Sequence, residues 1–103
     1  MAEIKPHKAL DVSTRLAKKR GNGILRREVW VDGKGKVVRY NLAYINHDIF
    51  QGDNGRVVGY DNAHGSHHRH YKGTVETVEF QGFEDIEGRF EADWKVFGRK
   101  GKK

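Results

Sequence analysis

Four of the six histidines in this 103-residue chain fall within seven positions, His64 to His70. They lie in the run Gly59-Tyr60-Asp61-Asn62-Ala63-His64-Gly65-Ser66-His67-His68-Arg69-His70-Tyr71, which adds an Asp, an Arg and two Tyr. Asp61-Asn62 followed by Gly65 suits a loop that leaves a strand and folds back. If His68 to Tyr71 is extended, His68 and His70 point the same way, about 6.5 Å apart along the chain. His67 and Arg69 then point to the opposite face, with Tyr71. Two imidazoles on one side can flank a phosphate: one takes the proton of a ribose 2′-hydroxyl, the other protonates the leaving 5′-oxygen. Imidazole suits this because a pKa of about 6.5 makes both protonation states available near neutrality.

The other groups in reach have assignable parts. Arg69 or Arg39 would offset charge on the phosphorane. Tyr60 and Tyr71 would stack a base, and Asn62 and His64 would contact substrate. Asp61 would join the catalytic set with His68, His70 and Arg69, or fix a histidine tautomer from behind. The same spacing serves a divalent ion held by His68 and His70, with His64 or Asp61 as a third ligand. A third reading is plain: a solvated loop, with Asp61 and Asn62 bonding their own backbone as turn formers. The residues alone leave all three open, and the first needs no cofactor.

Composition bounds the partners. Twenty Lys and Arg against fourteen Asp and Glu give a formal charge of +6, which suits a polyanion such as RNA. There is no cysteine, so disulfides, thiol nucleophiles and thiolate zinc sites are excluded. No apolar run approaches the roughly 20 residues that span a bilayer, and Met1 to Lys8 lacks an apolar signal core, so a cytoplasmic protein with no membrane contact is expected. At 36% apolar residues the chain supports one modest core, lean enough that a homodimer or other partner would help it.

The elements that must position the histidines are read from periodicity. Residues 1–23 suggest a basic arm, or one short helix through Ala9, Leu10, Val12, Leu16 and Ala17 closed by Lys18-Lys19-Arg20 and Gly21. Ile24 to Val31 alternates as a strand, Asp32-Gly33-Lys34-Gly35 turns the chain, and Lys36 to Asn46 returns. Gln51 to Gly55 makes a second turn into Arg56 to Asp61. Lys72-Gly73 announces a strand from Thr74 to Phe80, with a bulge or two covered faces. Phe83, Ile86, Phe90, Trp94 and Phe97 form one stripe of a helix from about Phe83 to Phe97, with Gly98 as its stop. That stripe is core, and Trp30 and Trp94 read as packing residues. Residues 24–98 then form a single α+β domain, a four-stranded, mainly antiparallel sheet with the C-terminal helix across one face. Residues 99–103 make a basic tail.

The run Val57-Val58-Gly59-Tyr60-Asp61-Asn62, then Gly65, then His68-Arg69-His70-Tyr71, resembles the TumE-like family of bacterial toxin–antitoxin toxins. The Arg39-Tyr40-Asn41-Leu42-Ala43-Tyr44 and Val78-Glu79-Phe80 strands and the closing helix share in it, so the resemblance covers roughly Ile24 to Phe97. It carries Tyr60, Asp61, Asn62, Gly65, His68, Arg69, His70 and, less directly, Arg39 as family positions. Two departures stand out. Gly65-Ser66-His67 replaces the Gly-Lys-Gly-Asp run that commonly precedes His-Arg-His, and Met1 to Gly23 is longer than the family leads one to expect. The resemblance implies growth inhibition neutralised by a cognate DNA-binding antitoxin protein. Joined to the charge and the histidine chemistry, it leads to a metal-independent endoribonuclease as the expected function. A non-catalytic module binding nucleic acid or antitoxin is the alternative, and a metal-dependent enzyme using His64, His68 and His70 a third.

Overall fold

The structure, a computed structural model, describes residues 5–63 and 65–100, and for 98–100 the backbone alone. Six strands follow one another in space in their chain order, each antiparallel to the last. They are β1 (His7–Arg15), β2 (Ile24–Val31), β3 (Val37–Ile45), β4 (Arg56–Asp61), β5 (His68–Tyr71) and β6 (Thr74–Thr77). One helix, α1 (Phe83–Lys100), closes the chain and packs against β3 and β4. The α+β class and the helix on one sheet face are as the sequence indicates. Among the described residues the strand count is six, not four.

Two elements account for the difference. His7–Arg15 is an edge strand paired with β2, in place of the expected helix or arm; of this segment only Lys18–Arg20 is helical, as one turn of 3-10 helix. His68–Tyr71 is a strand in its own right, joined to β6 by a two-residue turn at Lys72 and Gly73, both with positive φ. Such a turn matches the twist of its flanking strands. The helix also passes through Gly98 and takes in Arg99 and Lys100 of the expected tail, while Gly101 to Lys103 lie outside the described residues. β6 ends at Thr77, three residues short of Phe80.

Alternation divides the sheet into a covered and an open face. On the covered face Tyr40, Leu42, Tyr44, Val58 and Tyr60 meet Ile86, Phe90, Trp94 and Phe97, the helical stripe read from the sequence. Aromatic rings dominate this core: Tyr60 meets Phe90 edge-on with centroids 6.5 Å apart, and Tyr44 lies against both Trp94 and Phe97. Tyr44 keeps its hydroxyl satisfied by donating toward the carbonyls of Gly21 and Asn22. That bond ties the β1–β2 connection to the core, as does buried Leu16.

Candidate functional site on the open face of the sheet

The open face gathers residues that alternate with the core. Cross-strand pairing sets Lys8 beside Trp30, Trp30 beside Arg39, Glu28 beside Asn41, Asn41 beside Asp61, and Asp61 beside His68. His70 follows two residues along β5, opposite Gly59. His68 and His70 therefore share a face, as their spacing predicts.

His70 is fixed from both sides. Its Nε2 lies 2.8 Å from Asp61 Oδ2, and Arg56 Nη2 donates to its Nδ1 at 3.1 Å. A guanidinium can only donate, so Nδ1 holds the lone pair and Nε2 carries the proton given to Asp61. Arg56 also pairs with Asp53 at 2.8 Å and lies 3.6 Å from Asp61. Two local features bring Arg56 there. A register shift between Tyr44 and Ile45 sets Arg56 opposite Ile45, on the open face, although even-numbered Val58 and Tyr60 face the helix. Gly59 then leaves room for the side chain to cross β4: a Cβ there would stand 2.9 Å from Arg56 Cδ and 2.6 Å from the Leu42 carbonyl oxygen.

Arg69 and Tyr71 take the other face. Arg69 Nε donates to Asp93 Oδ2 at 2.9 Å, and the Tyr60 hydroxyl donates to the same oxygen at 2.7 Å. Burial alone would lower the Arg69 pKa, but the hydrogen bond and charge of Asp93 outweigh it and hold the guanidinium firmly protonated. Tyr60 is pushed well above its ordinary value by burial first and by Asp93 second. Tyr71, 37% exposed, lies against Phe97 beneath the Arg69 guanidinium. The structure thus does not bring Arg69, Tyr60 or Tyr71 to the His68 and His70 side, and Tyr60, 2% exposed, offers no surface for a base.

The remaining predicted positions sort as follows. Asn62 extends the β3–β4 pairing, with Oδ1 accepting from the Tyr40 amide and Nδ2 donating to the Val38 carbonyl. His64 lies outside the described residues. Among the described residues no three His, Asp or Glu side chains converge as a metal site would need. Arg39 does face the open side, exposed and without a carboxylate partner among the described residues, 4.9 Å over the Trp30 ring. Lys8 lies at the same distance from that ring, so half-buried Trp30 packs against two cations on the open face and not in the core under the helix. His67 faces the helix side, stacked on Phe80 with centroids 3.9 Å apart and bonded to the Tyr40 hydroxyl at 2.8 Å.

Sequence reasoning missed Arg56. Its even parity with Val58 and Tyr60 pointed it to the core, and only the bulge reverses that. Beside it opens a groove of about 290 Å³ over Ala43 and Ile45, walled in part by Arg26, Glu28, Asn41 and Asn54.

The fold is thus a small meander sheet with one face sealed by a helix and, on the other, an imidazole, a carboxylate and a guanidinium in contact. Residues 4–97 match the family model described as Toxin TumE, and the chain belongs to that toxin family. Membership implies a toxin with a cognate antitoxin. The match reaches back past β1, so the edge strand that the resemblance left aside lies within the family region. No curated protein and no solved structure gives a significant match to this chain. Among the described residues, no helix is long and apolar enough to cross a membrane.

Proposed function

We propose that this toxin cleaves RNA at the open face, without a metal, through His68 and His70. The observation that carries the reading is His70 held between Asp61 and Arg56, with His68 two residues along the same strand on the same face of the sheet. The tautomer favours one division of the roles. A phosphate arriving at the site competes for the Arg56 guanidinium and draws it from Nδ1, which bares the lone pair. His70 then accepts the 2′-hydroxyl proton at Nδ1, while Asp61 at Nε2 stabilises the imidazolium that forms. The 2′-oxygen attacks phosphorus, the bond from phosphorus to the 5′-oxygen breaks, and protonated His68 supplies that oxygen's proton. A 2′,3′-cyclic phosphate and a 5′-hydroxyl result. Arg56 offsets charge on the phosphorane, and Arg39 on Trp30 holds a more distant part of the strand. Arg69 keeps a structural place in this scheme.

Expression alone should arrest bacterial growth, and the antitoxin should relieve the arrest. Purified protein should cleave RNA in EDTA, with a bell-shaped pH profile and cyclic phosphate ends. His68→Ala and His70→Ala should each lose about a hundredfold in rate while staying folded. Full activity in the double variant would sink the reading and leave a toxin that acts by binding. Loss of activity in EDTA, restored by Zn²⁺, would replace it with metal-assisted cleavage.

A further inference from the structure

The formal charge of +6 is not spread evenly along the chain. From Val12 to Arg27 there are six cations, Arg15, Lys18, Lys19, Arg20, Arg26 and Arg27, and no carboxylate. The other fourteen Lys and Arg equal the fourteen Asp and Glu in number. Two of the six are engaged within the fold: Arg26 pairs with Asp11 and Glu28, and Arg27 with Glu87. Arg15, Lys18, Lys19 and Arg20 are exposed and make no ion pair among the described residues. The surplus charge is therefore gathered at the end of β1 and on the connection to β2.

That connection is anchored at several points. Leu16 is buried in the core, and its amide donates to the Gly23 carbonyl at 2.9 Å. The Gly21 carbonyl accepts from the Tyr44 hydroxyl and from Asn46 Nδ2. Gly21, Asn22 and Gly23 all run at positive φ, and a Cβ at Gly23 would stand 2.5 Å from the Ile45 carbonyl oxygen. A solubilising surface needs no such anchoring. A surface that must meet charges at set places gains from it, because the backbone is ordered before the ligand arrives.

Its position relates it to the histidines. Cross-strand pairing runs Arg15, Ile24, Ile45 and Arg56 in one row of the open face. Arg15 thus lies three strand spacings, about 14 Å, from the residue that holds His70. A hollow over Ile24 and Ile45 adjoins Arg15, with Asp48 its one carboxylate. Arg39 falls toward the opposite end of the same strands. A polyanion crossing the histidines obliquely meets Arg39 on one side of them and Arg15 on the other, with Lys18-Lys19-Arg20 just beyond. Three adjacent cations with no aromatic ring among them answer to charge and not to a base.

We propose that Arg15 with Lys18, Lys19 and Arg20 forms a second RNA contact, which holds the phosphodiester backbone away from the cleaved bond and reads no base. The inference rests on the cleavage reading for its ligand. The contact positions the strand and takes no part in the chemistry, so it acts on affinity and on salt dependence.

The test uses the full chain and a long single-stranded RNA, with binding followed by fluorescence anisotropy over a range of salt concentrations. Each phosphate held on a single strand contributes about 0.7 to the slope of log affinity against log salt. Lys18→Gln, Lys19→Gln and Arg20→Gln combined should weaken binding about tenfold or more and flatten that slope by about 2. Arg15→Gln alone should flatten it by about 0.7. In cleavage, KM for the long RNA should rise in the triple variant while kcat holds. Cleavage of a dinucleotide, which reaches only the histidines, should stay at the wild-type rate. The control removes three exposed cations near the far end of the strands, Lys5→Gln, Lys34→Gln and Lys36→Gln. An equal loss of affinity in the control would mean that net charge alone sets binding, and overturns the proposal. So does wild-type RNA binding in the folded triple variant, or a loss of antitoxin binding there with RNA binding intact, which would make the connection an antitoxin surface. RNA binding that depends on the connection, without any cleavage, leaves the contact standing and removes the cleavage reading. His68-dependent cleavage with a wild-type KM in the triple variant does the reverse.

Discussion

Strand β5 carries a cation–carboxylate cluster on each side. On the helix side Arg69 and Tyr60 share Asp93, and on the open side Arg56 and His70 share Asp61. The residue types are nearly the same, but the surroundings differ. Asp93 comes from the helix, so its bonds tie α1 to β4 and β5 and pin a layer in place. Asp61 comes from the sheet itself and its cluster joins neighbouring strands; the side chains there shield one another, so that Asp61 and His70 are each 14% exposed, less than Asp93 at 24%. A cluster that links two layers holds them together, whereas one within a single layer can, on the function proposed above, be opened by a ligand without parting the layers. The two clusters therefore differ in what they join, one binding helix to sheet and the other strand to strand.

The largest expected effect is on the covered side. Trp94 is 6% exposed in the aromatic core, and Trp94→Ala should cost about 3–5 kcal/mol. For so small a domain that is most of the available stability. Thermal or urea unfolding checks this, and a cooperative melt near the wild-type midpoint would mean that the helix is not what seals the sheet.

The two carboxylates give the direct contrast. Asp93→Ala should destabilise by about 1–3 kcal/mol, since it leaves the buried Tyr60 hydroxyl without its acceptor and Arg69 with the exposed Glu76 alone. Activity per folded molecule should then change little. Asp61→Asn should do the opposite: a melt close to wild type, and a rate lowered about tenfold or more as His70 loses the group that orients it. Matching stability losses in both variants would erase the distinction drawn between the faces.

How far the sequence reveals this arrangement depends on whether each residue obeys the local period. The helical stripe, the β2–β3 hairpin and the shared face of His68 and His70 all follow from spacing, because each element there is regular. β1 escaped because an edge strand has one partner and little burial. Its Lys8, Asp11 and Ser13 give no apolar alternation, while Ala9, Leu10, Val12 and Leu16 happen to fit a helix. Tyr60 was legible but misjudged: it pairs with Leu42 and faces the core by the same parity as Val58. Arg56 was not legible, because a one-residue bulge sets its face and no periodicity encodes that. The pairing of Asp93 with Arg69 joins positions 24 residues apart and depends on tertiary packing alone.

The smallest effect concerns the one histidine of the cluster shown to face the helix side. Burial depresses the His67 pKa below its ordinary 6.5, and the neighbouring His68 charge adds to this. The folded chain therefore binds that proton more weakly than the unfolded chain does. The contribution is complete above about 6.5 and is lost as pH falls from there toward the lowered folded value. The environment enforces the sign. Tyr40, itself pushed up to about 12 by burial and by Asp61, keeps its hydroxyl proton and offers it to Nδ1, and Phe80 covers the ring. His67→Phe keeps the stacking and cannot titrate, so it should be less stable than wild type at pH 7.5 yet lose less of its melting temperature between pH 7.5 and 5.5. Equal acid sensitivity in the two proteins would mean that the other histidines carry the whole response. His67 would then owe its place to packing alone.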